Sequence, residues 1–268
     1  MDIHPVEPEK RAAVLAALTD IERTHDVRVV FACESGSRGW GFSSPDSDYD
    51  ARFICVHRLP WYLTVNERTG LGQPQRDVIE LPIDDDLDVS GWDLRKALRL
   101  VAKSNPTLLE WMHSPVVYRQ DDGTSRGLKD LAERFYSRTA AWHHYHSMAK
   151  GNFRGYLRGE RIRTKKYLYV IRPLLACQWA ERFGTPPPMA FELLLDRLLP
   201  TGPVREAIDA LLAVKRISRE VADGPRIPVI SDFLEVELER MQASPPMLSG
   251  CEGRDAELDE FFRQSLQG

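Results

Sequence analysis

Two short apolar runs limit what this chain can become. "VRVVFACE", Val27 to Glu34, is rich in β-branched residues, and "YDARFICVH", Tyr49 to His57, is a second run of the same kind. Each has the character of a buried strand. Between them lies "SGSRGWGFSSPDSD", where glycine, serine and aspartate replace apolar residues. A strand, a glycine-serine turn, an Asp-x-Asp pair and another strand are therefore expected in that order.

The rest of the chain divides into two patterns. Residues Pro8 to His25 have amphipathic helical spacing. "WYLTVN" could form part of a third strand, and "RDVIELPI" (Arg76 to Ile83) and "LDV" (Leu87 to Val89) are further strand candidates around an acidic turn, Asp84 to Asp86. Ser90 is then expected to cap a helix through "GWDLRKALRLVAKS", with Asp93 three residues later. From about Leu128 the pattern is helical nearly throughout, broken by "GTPPP" and "PTGP". Mixed elements followed by helices alone indicate an α+β fold: a mixed sheet with flanking helices over residues 1–125, then a helical domain over 126–268.

Bulk properties narrow the function classes. With 268 residues the chain can bury two modest cores. No apolar run approaches the ~18–20 residues of a membrane helix, and the N-terminus lacks a basic region followed by an apolar segment and cleavage site, so a soluble cytoplasmic protein is expected. Cys33, Cys55, Cys177 and Cys251 are widely spaced, as reduced core cysteines would be. Net charge is −4, yet Arg134 to Arg182 holds eleven Lys or Arg against two acids, a local balance of +9. That excess suits a polyanionic ligand such as a nucleotide or RNA.

Spacing removes several readings of the glycine-serine stretch. Gly36 and Gly41 stand as in a Walker A loop, but Phe42 and Ser43 follow where Lys and Ser or Thr are needed. Asp46, Asp48 and Asp50 imitate an EF-hand start, but Ala51 and His57 occupy the positions of the turn glycine and the bidentate acid. What remains is alternation along a strand: Asp48, Asp50 and Arg52 project from one face, Tyr49, Ala51 and Phe53 from the other. Carboxylates about 7 Å apart on one strand face can share divalent metals that hold a triphosphate. The Gly36-Ser37 turn offers backbone N–H groups and a hydroxyl to phosphate oxygens. Arg52 is placed either to pair with the aspartates or to reach phosphate, the ion pair first.

"SGSRGWGFSSPDSDYDARFI" resembles the signature of the polymerase-beta-type nucleotidyltransferases. Together with "DVSGWDLRKALRL", "KSNPTLLEWMHSP" and "YLYVIRPLLACQW" it is similar to the RNA repair pathway DNA polymerase beta family, from about Val29 to Trp179. The resemblance implies a polymerase-beta-like mixed sheet and transfer of a nucleoside monophosphate from an NTP, ATP among them, to an acceptor hydroxyl, with release of pyrophosphate. It also implies Mg²⁺ or Mn²⁺ on Asp48, Asp50 and a third acid. Asp88 is the first choice for that acid, because it directly precedes the expected capped helix of "SGWDLRKAL", the position where the family's third acid falls; Glu80 is the alternative. Gly36, Ser37 and Arg38 would hold phosphates, and Lys150, Lys165, Tyr169 and Arg172 match the basic and aromatic residues of the family's helical domain. Lys165, Tyr169 and Arg172 share one helix face, and Lys150, Arg154 and Arg158 another. The implied acceptor is an RNA end; transfer to a protein or small molecule, or an inactive binding module, are the alternatives. Of the remaining residues, His143 and His146 lack the neighbouring ligands that zinc needs. Trp40 is expected to pack, or to stack on a base.

Overall fold

The computed structural model describes residues 5–65, 75–83, 85–159, 161–217, 223–243, 245–247 and 255–267. Helix α1 (Pro8–His25) leads into β1 (Val27–Glu34); the short helix α2 (Gly36–Gly39) and its loop return the chain to β2 (Tyr49–His57). Then come α3 (Leu59–Tyr62), β3 (Val78–Glu80), β4 (Leu87–Asp93), α4 (Leu94–Ala102), α5 (Pro106–Met112), β5 (Val117–Gln120) and α6 (Thr124–Arg134). The second half holds α7 (Arg138–Tyr156), β6 (Arg161–Arg163), α8 (Lys166–Arg182), α9 (Phe191–Leu198), α10 (Pro203–Ile217), β7 (Asp223–Pro225), α11 (Pro228–Ala243) and α12 (Asp255–Ser265).

Five strands form one mixed sheet in the order β3-β4-β2-β1-β5, with β2 and β4 parallel and the other neighbours antiparallel. The fold is α+β, as the sequence leads one to expect. Alternation sorts the strand residues between two layers. Ala51, Phe53 and Cys55 of β2 join Val14, Leu18 and Ile21 of α1 on one face. Ile54 and Val56 join Leu94, Leu98, Leu108, Leu128 and Leu258 on the other, so α4, α5, α6 and α12 cover that side. A register shift between Val29 and Phe31 puts both Val30 and Phe31 into this second layer, as an extra residue in a strand requires. Helices α7 to α11 build a separate core around Trp142, Tyr145, Tyr167 and Leu174, and Phe42 from the α2–β2 loop is part of it.

Several local expectations are corrected. "WYLTVN" holds no strand among its described residues; its first two residues end α3, where Pro60 lies in the first helical turn that its fixed φ suits. The "LDV" strand runs on to Asp93, because the parallel register pairs Tyr49 through Cys55 with Leu87 through Asp93. Ser90 is therefore a strand residue, and Asp93 caps α4 by accepting from Arg95 N at 2.9 Å. Only Val78–Glu80 of "RDVIELPI" is strand. The helical half also contains a two-stranded sheet of β6 and β7, three residues each. Asp84 and Cys251 lie outside the described residues. Among those described, no helix is long and apolar enough to cross a membrane.

Candidate functional site

The strand register assembles the acids. Asp50 of β2 stands directly opposite Asp88 of β4 in the parallel pair. Glu80 lies one strand further out, opposite Ser90, in the row of Arg52 rather than of Asp50. Asp48 sits one residue ahead of β2 and is exposed. Tyr49, Ala51 and Phe53 are buried, so the alternation leaves Asp50 and Arg52 on the opposite face. Gly91 has its own reason for being glycine: a Cβ there would lie 2.3 Å from the Phe53 ring that crosses it.

Arg52 bridges the two acids. Its guanidinium donates to Asp50 Oδ1 at 2.9 Å and Asp88 Oδ2 at 2.7 Å, and also to the Asp88 carbonyl at 3.0 Å. The expected ion pair is present, and a single nitrogen, Nη2, serves both carboxylates across two strands. Burial raises the pKa of Asp50; Arg52 opposes that rise, while the nearby Asp88 and Asp48 carboxylates add to it. Three carboxylates therefore share one field.

The turn before them is built onto Asp50. Ser35 N donates to the Asp50 carbonyl at 2.9 Å, and Asp50 N donates to Glu34 Oε1 at 2.8 Å. Gly36 has φ +55°, and a Cβ on it would fall 1.9 Å from Asp50 Oδ2. Both conformation and space demand glycine here. Glu34 is fully buried and also accepts from Tyr118 Oη at 2.5 Å. Burial pushes its carboxyl up to about 7. Ser37 and Arg38 are 8% and 3% exposed; Arg38 donates to the Ser47 carbonyl at 2.8 Å and lies 3.9 Å over the Tyr49 ring. It braces the loop that ends in Asp48.

The helical half approaches through α8. Burial raises the pKa of Tyr169, and the charges of Asp50 and Asp48 add to the rise. Lys166 lies 4.5 Å over the Tyr156 ring and 4.8 Å over Tyr169, and Lys165 precedes the helix. Arg172 has a different task. It is 3% exposed, pairs with Glu110 Oε1 at 2.8 Å and stacks 4.7 Å from the Trp40 ring. Reaching a nucleotide would require breaking that pair. Trp40 packs as well, donating to Glu110 Oε2 at 3.1 Å and meeting Tyr169 edge-on at 5.6 Å. Lys150 bonds Gln242 at 2.9 Å and, with Arg154 and Arg158, lines a groove of about 370 Å³ against α11. It therefore faces α11, whereas Asn152, on another face of α7, holds the Tyr169 carbonyl.

Three buried ionisable residues escape a reading by motif. Glu34, Glu110 and Lys215 each sit at an apolar position: the end of a core strand, the middle of "TLLEWM", and the place seven residues after Ile208 and four and three after Leu211 and Leu212. A charge in a core stripe was the available signal.

Among the described residues no group of three or more His, Cys, Asp or Glu is arranged as a ready metal cluster. His146 instead stacks on Trp142 at 4.9 Å. The donor chemistry beside β2 nevertheless fits a hard divalent cation. Asp48, Asp50 and Asp88 are all oxygen donors, and their shared negative field is what such an ion relieves.

The RNA repair pathway DNA polymerase beta family matches residues 11–264 of the chain. A Bacillus subtilis (strain 168) protein, described as uncharacterized protein YcgL, is 42% identical over 255 residues, 95% of either chain. The crystal structure of a nucleotidyltransferase-like protein from Exiguobacterium sibiricum 255-15 matches over 96% of this chain and 89% of its own, at 13% identity and a TM-score of 0.31.

Proposed function

Since the chain belongs to the RNA repair pathway DNA polymerase beta family, we propose that it is a metal-dependent nucleotidyltransferase, moving a nucleoside monophosphate from an NTP to an acceptor hydroxyl and releasing pyrophosphate. One observation carries the reading: Asp50 and Asp88 are register partners with Asp48 in their field, and the Gly36 backbone is packed against Asp50.

On this reading the sheet-bearing unit, with α6 and α12 packed on it, performs the chemistry, and α7 to α11 help hold the nucleotide. Asp48, Asp50 and Asp88 would hold Mg²⁺ or Mn²⁺, which when bound neutralises charge developing on the transferred group and on pyrophosphate. Arg52 fixes one oxygen of each of two carboxylates, Asp50 Oδ1 and Asp88 Oδ2. Asp88 Oδ1 is then the atom that accepts the proton of the attacking hydroxyl. Ser37 and the backbone of Gly36 bind phosphate oxygens, and Arg38 holds the loop in shape while adding positive field. Tyr169, Lys165 and Lys166 line the opposite side, where base and ribose would lie.

The acceptor we infer is an RNA end. The family's description and the +9 segment from Arg134 to Arg182 support it. Three described cysteines, Cys33, Cys55 and Cys177, are buried and free, which supports a cytoplasmic setting. Incubation with labelled NTP and Mg²⁺, with and without RNA, tests the proposal. Label should appear on RNA and vanish in the Asp48→Ala/Asp50→Ala double variant while its circular dichroism is unchanged. Label on protein alone would sink the RNA reading, and full activity in the double variant would sink the metal site.

A further inference from the structure

Where β1 and β2 part, a side chain takes over from the sheet. Glu34 and Ala51 are the last residues that the two strands pair, and Ser35 and Asp50 come next in register. A closed antiparallel rung would have these two exchange both backbone hydrogen bonds. Half of that exchange is made: Ser35 N donates to the Asp50 carbonyl at 2.9 Å. The Ser35 carbonyl has turned away to accept from Gly39 N at 3.0 Å, which opens α2. That turn would orphan Asp50 N, and a backbone N–H without a partner is costly. Glu34 Oε1 accepts it instead, at 2.8 Å.

Glu34 is itself expensive to place. It is fully buried, and no Lys or Arg of the described residues lies within the 4.0 Å of an ion pair. A carboxyl kept from water without a cation opposes folding, whereas an apolar side chain would fill this core position freely. Its bonds show what the carboxyl does there. Oε2 accepts from Tyr118 Oη at 2.5 Å. The Glu34 main chain is pinned from the same side, Ser114 Oγ donating to its carbonyl at 2.6 Å and its own N–H to the Val116 carbonyl at 2.9 Å. Thus β5 and the turn before it fix Glu34, and Glu34 fixes Asp50. Three consecutive residues hold three parts of one aspartate: Glu34 its N–H, Ser35 its carbonyl, and Gly36, which leaves no room for a methyl, its carboxylate.

We propose that Glu34, braced by Tyr118, is a positioning residue for the transfer: by holding the Asp50 N–H it keeps the Asp50 carboxylate level with Asp88 while the chain leaves the sheet for the glycine turn. The reaction it serves rests on the nucleotidyl-transfer reading; the bond that replaces the rung does not. The task requires an acceptor oxygen, which glutamine keeps and leucine lacks.

Two measurements on the full chain test this: pyrophosphate release with ATP, RNA and Mg²⁺, and calorimetric binding of Mn²⁺ without nucleotide. Glu34→Leu should lower kcat by about tenfold or more with the KM for ATP within about threefold, because Asp50 shifts while the other nucleotide contacts stay. Glu34→Gln should restore kcat to within about threefold of the parent. Mn²⁺ affinity should follow kcat, weakened in Glu34→Leu and restored in Glu34→Gln. Ser114→Ala removes a bond to the same strand end without touching Asp50; it should melt lower and keep the parent's kcat. Tyr118→Phe, a mild core change that removes only the brace, should lower kcat by a few fold, and an unchanged kcat there overturns the proposal even if Glu34→Leu fails to fold. A Glu34→Leu protein with the parent's kcat overturns it too, as does a Glu34→Gln protein impaired as badly as Glu34→Leu, or a Ser114→Ala protein with the same loss. If Mn²⁺ binding depends on Glu34 in this way but no acceptor is ever labelled, the positioning stands and the transfer reading fails. If RNA is labelled and Glu34→Leu changes neither kcat nor Mn²⁺ affinity, only the positioning fails.

Discussion

Gly36→Ala separates backbone strain from damage to the site. Gly36 has φ +55° and Gly41 φ +83°, so an alanine at either position adopts a left-handed conformation costing about 1–2 kcal/mol. Either variant should lose a few degrees of melting temperature. Their surroundings differ completely. The new methyl at residue 41 meets nothing within 4 Å, whereas at residue 36 it falls 1.9 Å from Asp50 Oδ2. To restore an ordinary 3.4 Å contact, the Asp50 carboxylate must withdraw by about 1.5 Å. Misplacing a reacting group by about 1 Å costs on the order of 10²-fold in rate. Pyrophosphate release from labelled NTP, measured with RNA and Mg²⁺ at saturating NTP, should therefore fall at least 100-fold in Gly36→Ala and stay within a few fold of the parent in Gly41→Ala. Equal activity in the two variants would refute the claim that the glycine turn is built around Asp50.

Three further outcomes follow from buried charges. Removing Arg172 leaves Glu110, 8% exposed, without its cation, so Arg172→Met should lower unfolding free energy by about 3–5 kcal/mol in urea; an unchanged midpoint with a raised KM for NTP would assign Arg172 to the nucleotide instead. Arg52→Gln leaves Asp50 and Asp88 facing each other, at a cost of about 1–3 kcal/mol at neutral pH. Part of that loss should return in acid, as Asp50, whose pKa is already raised by burial, takes up a proton; a pH-independent loss would argue against carboxylate repulsion. His57 is buried and stacked on Trp61 at 3.9 Å, and burial pushes its pKa from 6.5 down to about 4. The unfolded chain therefore binds a proton as pH falls below about 6.5 while the folded one does not. Stability should decline from there to about pH 4, by up to about 3 kcal/mol, and His57→Phe should flatten that decline; parallel stability curves for parent and variant would exclude His57 as its cause.

What could be read from the sequence was local. β1 and β2 are uninterrupted buried runs, and the Gly36 turn and the Asp48–Asp50 pair lie within one connection between them, so neighbouring residues carried the signal. Ser90 was misread as a cap because pairing with β2 extends β4 by four residues beyond "LDV", and no local pattern encodes a partner strand. β6 and β7 are too short to show a period. In the helical half Tyr169 and Arg172 both meet Trp40, as their spacing on one helix face allows, but the division of labour along that face was not legible. Whether a cation points to a ligand or closes a buried pair depends on partners such as Glu110, 62 residues before Arg172. Lys215 is the extreme case: its nearest hydroxyl lies 171 residues away.

Phe42 gives the two cores a common fate. It belongs to the connection that presents the glycine turn and Asp48, yet its ring is 1% exposed inside the helical core, 5.4 Å from Phe191, and the backbone beside it is fastened by Phe191 N to the Trp40 carbonyl at 2.9 Å. A chain cut after α6 would keep every strand of the five-stranded sheet and every proposed metal ligand, but would leave a large aromatic side chain exposed and the loop free to drift. Division of the gene at that point should thus yield a half that carries all the acids and cannot align them. Exchanging helical halves between relatives should succeed only where the receiving surface has a socket for this one ring.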